Sequence, residues 1–328
     1  MIKLLNSISD VWRFVQKKSE NSFVYLNIQK ELCLYIKGER KEAFSSKVED
    51  IEIWRDGYII NENQYFSSEK LESIFEKDIF KSLVVDNDNL IVKRIDLIKE
   101  EVNYGLYNYS SRRTHWLNNF RGVRPQLFVK DSLLISAANN RISCFEINNG
   151  NKWQETFNEL LESERPVLRS KIIYGNDKLF FVLTGNQNKG LYVLDVDTGK
   201  LLKKYDDVCY EIFQDEDYIF SSRFENILCR INSKTLEIEE WDCNDLVKSN
   251  GFDLIHDHRC AAKDNRFYFT QTIGDNKAKL GILDWDKKDL IYKYEFEPKN
   301  GGIGSIQVND SRMFVHTQDN TLHIFEID

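Results

Sequence analysis

Three observations in the 328-residue sequence predict an all-β chain assembled from repeated units of three or four short strands. The first is a recurring phrase, in which an apolar strand passes through a polar turn into a second strand that ends on an acidic or amide hairpin. It occupies residues 177–184 with 190–200, and returns at 131–135 with 142–150, 217–220 with 228–234, 266–269 with 280–286, and 312–315 with 322–327. The second is the spacing. The residues just before each hairpin, Ile147, Val196, Ile231, Trp285 and Ile327, follow one another at intervals of 49, 35, 54 and 42. The third is a further short strand upstream of each pair, closing on Asp56, Asn87, Asp131, Asn176, Asp215, Asp264 and Asp310. Three or four short strands every 40–50 residues or so is the period of a propeller blade. An open sandwich would not repeat the same turn chemistry at one phase along the chain. The fold predicted is a β-propeller of seven or eight blades.

At the N-terminus, Leu4, Leu5, Ile8, Val11, Trp12 and Val15 recur at helical spacing and predict a short helix packed on the propeller. Residues 23–28 and 32–37 read as strands. The last phrase ends at the third strand of its blade, leaving an open edge. One of the two N-terminal strands completes that blade, or both belong to a partial eighth. Residues 1–47 are therefore assigned to the closing segment and 48–328 to the propeller, in one structural domain. A helical insertion is expected at 153–164, with Trp153, Phe157, Leu160 and Leu161 on one face and Glu155, Glu159 and Glu162 on the other.

Composition narrows the class. Hydrophobic residues make up 41% and aromatics 13%, ample for a core, so global disorder is excluded. A net charge of −8 argues against a protein that coats nucleic acid or an anionic membrane. No stretch reaches the ~18 consecutive apolar residues of a membrane span, and the first residues lack the pattern of a secretory signal. The six cysteines form no C-x-x-C pair and sit mostly among strand-forming residues, where thiols act as small buried apolar groups. A reduced, cytoplasmic protein is expected. Abundant Lys, Asn, Ile, Phe and Tyr, all with AT-rich codons, point to a bacterial source. Only 3 prolines and 15 glycines serve so many turns. Asn and Asp, which tolerate positive φ, are expected to take their place.

The stretch Leu191-Tyr192-Val193-Leu194-Asp195-Val196-Asp197-Thr198-Gly199-Lys200 resembles the repeat of quinoprotein-like (PQQ-type) propellers. In those a strand, an Asp-x-x-Thr-Gly turn and a later aromatic recur, and that aromatic has counterparts in Trp116, Trp153, Tyr205, Trp241 and Tyr294. The resemblance is good over 125–328 and weak over 48–124. Quinone-binding members carry adjacent cysteines and calcium-ligating acids, and this chain has no adjacent cysteines. The resemblance therefore implies the fold and no cofactor.

Candidate site residues lie in the loops that lead into inner strands. Arg121 and Arg124 precede one such strand, Arg165 and Arg169 the next, and Arg259 follows His258 before another. Arg124 and Arg169 each stand seven residues before their turn residues Asp131 and Asn176. In an acidic chain these make a local positive face, suited to a carboxylate-rich protein, a phosphate or a nucleic acid through the planar guanidinium; a solvated surface or pairing with Glu162 and Glu164 is the plainer reading. His256 and His258, two apart on an extended segment, could share one ion, but no third ligand is evident. No nucleophile elbow or phosphate loop is present. Glu211 is the one acidic residue noted at these loops, which argues against a propeller hydrolase that holds a metal there. Two functions follow. The first is a non-catalytic cytosolic module that binds a protein partner, acidic in character, through its channel face, of the kind that would suit a toxin-immunity protein. The second is a hydrolase- or lyase-type enzyme acting on an anionic small molecule with His256 and His258.

Overall fold

The computed structural model describes residues 2–327 except 17–21, 37–38, 45–46, 68–69, 77, 119, 121–122, 187, 209, 256–257 and 274–276. Its strands form eight antiparallel sheets, seven of four strands and one of five. The sheets are the blades of an eight-bladed β-propeller. Seven begin on the short strands foreseen from their turns: Ile51–Trp54, Ile79–Val84, Pro125–Val129, Ile173–Gly175, Phe213–Asp215, Ala261–Lys263 and Ile303–Val308. The chain forms two compact units. One comprises 13–162 and 196–200; the other comprises 1–12, 163–195 and 201–328.

Within a blade the middle strands are the most deeply buried. Lys178–Thr184 and Lys189–Asp195 are buried almost throughout, because a central blade strand has a neighbouring sheet on both faces. The outer strand Leu201–Asp206 buries only Tyr205. Phe180, Val182, Leu191, Val193, Ile219 and Ile231 form one inter-blade core. The turns use the expected chemistry. Asn139-Asn140, Asn176-Asp177 and Asp264-Asn265 all have positive φ at both central residues, the geometry that matches strand twist in a two-residue hairpin. Gly150 and Gly199 also have positive φ, whereas Gly57 does not. Gly57 is there for space, since a Cβ would lie 2.2 Å from the Phe66 carbonyl oxygen.

Three expectations are corrected. Residues 4–15 are not helical; Lys3–Ile8 and Val11–Gln16 are strands, with Asp10 at φ 61 turning the chain between them. For Lys3–Ile8 the reason is the open edge of the last blade, whose backbone groups need partners more than the apolar side chains need a helix. Lys3–Ile8 pairs antiparallel with Leu322–Glu326 and so supplies the fourth strand, the task expected of residues 23–28 or 32–37. Those residues instead lie in a complete blade of Val11–Gln16, Ser22–Asn27, Leu32–Ile36 and Glu39–Phe44. The helix foreseen at 153–164 shrinks to Phe157–Leu161. Trp153 belongs to the outer strand Gly150–Thr156, the Thr156 side chain caps the helix, and Glu162 ends it in the left-handed region. A second short helix, Asn244–Ser249, was not foreseen. The five described cysteines are free and buried.

Two histidines of the last blade tie N-terminal residues to it, the buried His323 and the half-buried His316. His316 Nε2 lies 2.6 Å from the Val11 carbonyl oxygen, which can only accept, so Nε2 carries the proton. His323 bridges Ser7 Oγ at 2.9 Å and Thr317 Oγ1 at 3.2 Å. Burial lowers the pKa of both rings from the ordinary value of 6.5. The unfolded chain therefore takes up protons first as the pH drops below about 6.5, and stability is lost from there down to the folded-state values. A melting temperature that falls between pH 7.5 and pH 5.5, and falls less in His316→Gln/His323→Gln, is the expected outcome of thermal scans. Equal pH dependence in both proteins would contradict it.

Candidate functional site

The strand order places two kinds of loop on one edge of each blade: those joining the outer strand to the next inner strand, and those joining the second strand to the third. In the unit containing 163–195 and 201–328, this edge gathers cations and aromatic rings from two adjacent blades. Arg169 lies where the innermost strand is interrupted, between Val167–Leu168 and Ile173–Gly175. Its amide donates to the Val182 carbonyl oxygen at 2.9 Å and its Nε to Thr184 Oγ1 at 3.1 Å, so the side chain leaves the blade in a fixed direction. The guanidinium stands 5.6 Å from the ring of Tyr210, in the loop leading to the next blade. Lys189 Nζ lies 5.9 Å from the same ring and 3.4 Å from that of Phe224.

Phe224 occupies the single-turn helix Phe224–Asn226 between the second and third strands of its blade. It is 61% exposed and Tyr210 is 37% exposed, with Val167 at 44% nearby in sequence to Arg169. Each cation–ring contact contributes about 0.5–1 kcal/mol at an exposed site. Their larger consequence is that the rings and charges are held in place before any partner arrives.

The predicted residues separate. Arg169 belongs to this cluster. Arg165 is exposed in the loop that follows Phe157–Leu161. Arg259 is half-buried at φ 63, and its backbone is what is engaged: its amide donates to Glu211 Oε2 at 2.9 Å and its carbonyl accepts from Thr270 Oγ1 at 3.2 Å. Glu211 also accepts from the Cys260 amide at 3.4 Å, so its carboxylate ties two loops together. Arg124, in the other unit, is exposed at the start of Pro125–Val129, with its amide on Ser136 Oγ at 2.8 Å. Arg121 and His256 lie outside the described residues. His258 is half-buried. Among the described residues, no three or more His, Cys, Asp and Glu side chains gather as a metal site.

Lys189, Tyr210 and Phe224 were missed. The signal for Phe224 was present: it lies beside Arg223, Glu225 and Asn226, in a polar turn where an aromatic ring has no core to enter.

Hydrogen bonds from Lys130 and Lys152 hold the Asp197 carboxyl below the usual range, and those from Lys234 and Asn176 do the same for Asp217. Burial pushes the Cys144 and Cys243 thiols up to about 12, so neither is a thiolate near neutrality.

The family model described as a domain of unknown function, DUF5074, matches residues 10–322. The chain belongs to the DUF5074 family. No curated protein sequence matches it significantly. Solved structures similar to this DUF5074 chain include BamB from Moraxella catarrhalis, at 13% identity and a TM-score of 0.62 over 100% of both chains. The C-terminal WD40 domain of Sif2 is similar at 12% identity and a TM-score of 0.66, covering 100% of this chain and 99% of that one. Sqt1 from Saccharomyces cerevisiae gives 9% and 0.62, over 99% and 98%. At such identities the likeness shows the propeller fold alone. In the DUF5074 chain no described helix is long and apolar enough to cross a membrane.

Proposed function

We propose that the protein is a non-catalytic binding module whose loop edge at Arg169, Lys189, Tyr210 and Phe224 receives a protein segment carrying carboxylates beside apolar side chains. The observation that carries the proposal is the pairing of cations with exposed rings on Phe224 and Tyr210. Arg, Tyr and Phe are enriched at protein interfaces, where rings supply contact area at low entropic cost and arginine supplies directed hydrogen bonds. Arg124, Arg165 and Arg259 are further candidates for contacts on the loop edges of their own blades.

The fuller form of the reading places the protein in the bacterial cytoplasm as an immunity protein that covers a toxin's active site. Cations held against exposed rings on one loop edge support a plug that covers a partner's surface. The aromatic residues of the outer strands support treating the repeat as PQQ-type without its cofactor.

The test is capture of the product of the neighbouring gene by the purified chain. Arg169→Glu/Phe224→Ala should weaken capture at least tenfold, about 1.4 kcal/mol or more, with an unchanged melting temperature. Undiminished capture by that variant would remove the proposed surface.

A further inference from the structure

Blade residues 79–116 carry two features that fit each other. The hairpin of Asn89–Asp96 and Glu101–Asn108 has eight residues in each strand, and its tip presents Leu97 at 85% and Ile98 at 96% exposure, with Ile95 and Val102 also exposed. The tip is built rather than frayed, since Asp96 Oδ1 accepts from the Ile98 and Lys99 amides at 3.0 and 3.1 Å. Two adjacent aliphatic side chains held out into water mark a contact surface more than a solvated turn. Asp96, Glu100 and Glu101 against Lys99 make this tip acidic.

The second feature is a cleft of about 370 Å³ beside the same blade. Its lining is more polar than apolar: Glu76, Arg94, Arg112 and Thr114 face it beside the half-buried rings of Phe75 and Trp116, with Ile74, Ile79 and Tyr107 buried behind them. Arg94 lies 4.5 Å from the Trp116 ring and Arg112 lies 3.9 Å from that of Tyr109, so both guanidinium groups are stacked in place. Their carboxylate contacts are long, Glu76 at 3.4 Å and Glu72 at 3.5 Å, and the Glu76 side chain is 84% exposed.

We propose that the occupant of this cleft is the Leu97–Ile98 tip of a second copy of the chain. The cleft has room for two aliphatic side chains, and Asp96, Glu100 and Glu101 would replace Glu76 on the arginines. Tip and cleft belong to one blade, and in the proposed dimer a two-fold axis relates two such contacts. The contact area is small and partly ionic, so the dimer is weak and loosens with salt.

Sedimentation velocity from about 1 to 200 µM tests this. The wild-type chain should pass from monomer to dimer, and Leu97→Ser/Ile98→Ser should raise the dissociation constant at least tenfold. Arg94→Glu should do the same. An equimolar mixture of the tip variant and the Arg94 variant should associate more tightly than either alone, because the mixed dimer keeps one intact tip-in-cleft contact. Four results would overturn the proposal: a monomeric wild type at 200 µM, an unaffected dimer in the tip variant, no recovery in the mixture, or tip-dependent co-sedimentation with phosphatidylcholine vesicles.

Discussion

Removal of residues 1–10 lowers the melting temperature by roughly 5 °C and makes the protein prone to aggregate; both are expected results of the way the last blade is closed. Lys3–Ile8 pairs with Leu322–Glu326 through Lys3–Glu326, Leu4–Phe325, Asn6–Ile324, Ser7–His323 and Ile8–Leu322. Each backbone hydrogen bond contributes about 0.5–1.5 kcal/mol net, so the strand as a whole contributes about 3–5 kcal/mol. Ile2 and Leu4 also pack on the core of Met313, Val315 and Phe325, and Ser7 satisfies the buried His323. Without the strand, the row of backbone groups along 322–326 is open to pairing with another chain. Differential scanning fluorimetry and size-exclusion chromatography check both parts. A synthetic peptide of residues 1–10 added in trans should recover some of the lost stability. A truncated protein that melts like the intact one would show that the edge does not depend on this strand.

Trp153→Ala is expected to cost about 3–5 kcal/mol, the range for truncating a large buried aromatic side chain. The indole is buried, its Nε1 donates to the Val196 carbonyl oxygen at 2.8 Å, and its face lies against Gly199. A Cβ on Gly199 would sit 2.7 Å from the ring, and φ there is +72, so that position excludes side chains twice over. Trp153→Phe should keep most of the packing and lose about 1 kcal/mol with the hydrogen bond. Urea denaturation separates the three proteins, and a loss below about 1 kcal/mol for the alanine variant would refute the docking role. The same device recurs along the chain. Tyr205 Oη donates to the Leu236 carbonyl oxygen at 2.6 Å, Trp241 meets Trp285 edge to face at 6.0 Å, and Tyr294 meets Phe325 at 5.1 Å. These outer-strand aromatics are the residues that carried the PQQ-type resemblance, and each fixes its blade to the next hairpin.

Much of the fold was legible because its turns are local. An Asn-Asp pair at 176–177 or 264–265 bends the chain by its own backbone preference, so position and turn type follow from a few consecutive residues. The candidate site was legible only in part. Arg169 stands out in the sequence as a cation beside an inner strand, but its neighbours Lys189, Tyr210 and Phe224 come from three other loops. Nothing in consecutive residues brings them together.

By itself the sequence determined an all-β repeat, its strand-turn phase at seven blades, and the Asn and Asp that replace glycine in its turns. Those properties reside in segments of ten residues or fewer, where backbone propensity and alternating turn chemistry decide. Only the tertiary structure decided the blade count, the strand that closes the last blade, and which exposed side chains share a surface. Residues 4–15 have helical spacing and are strands: Lys3–Ile8 pairs with the edge at 322–326, more than 300 positions away along the chain, and Val11–Gln16 enters the blade of Ser22–Asn27, Leu32–Ile36 and Glu39–Phe44. Pairing that edge satisfies more buried backbone groups than an isolated helical turn could.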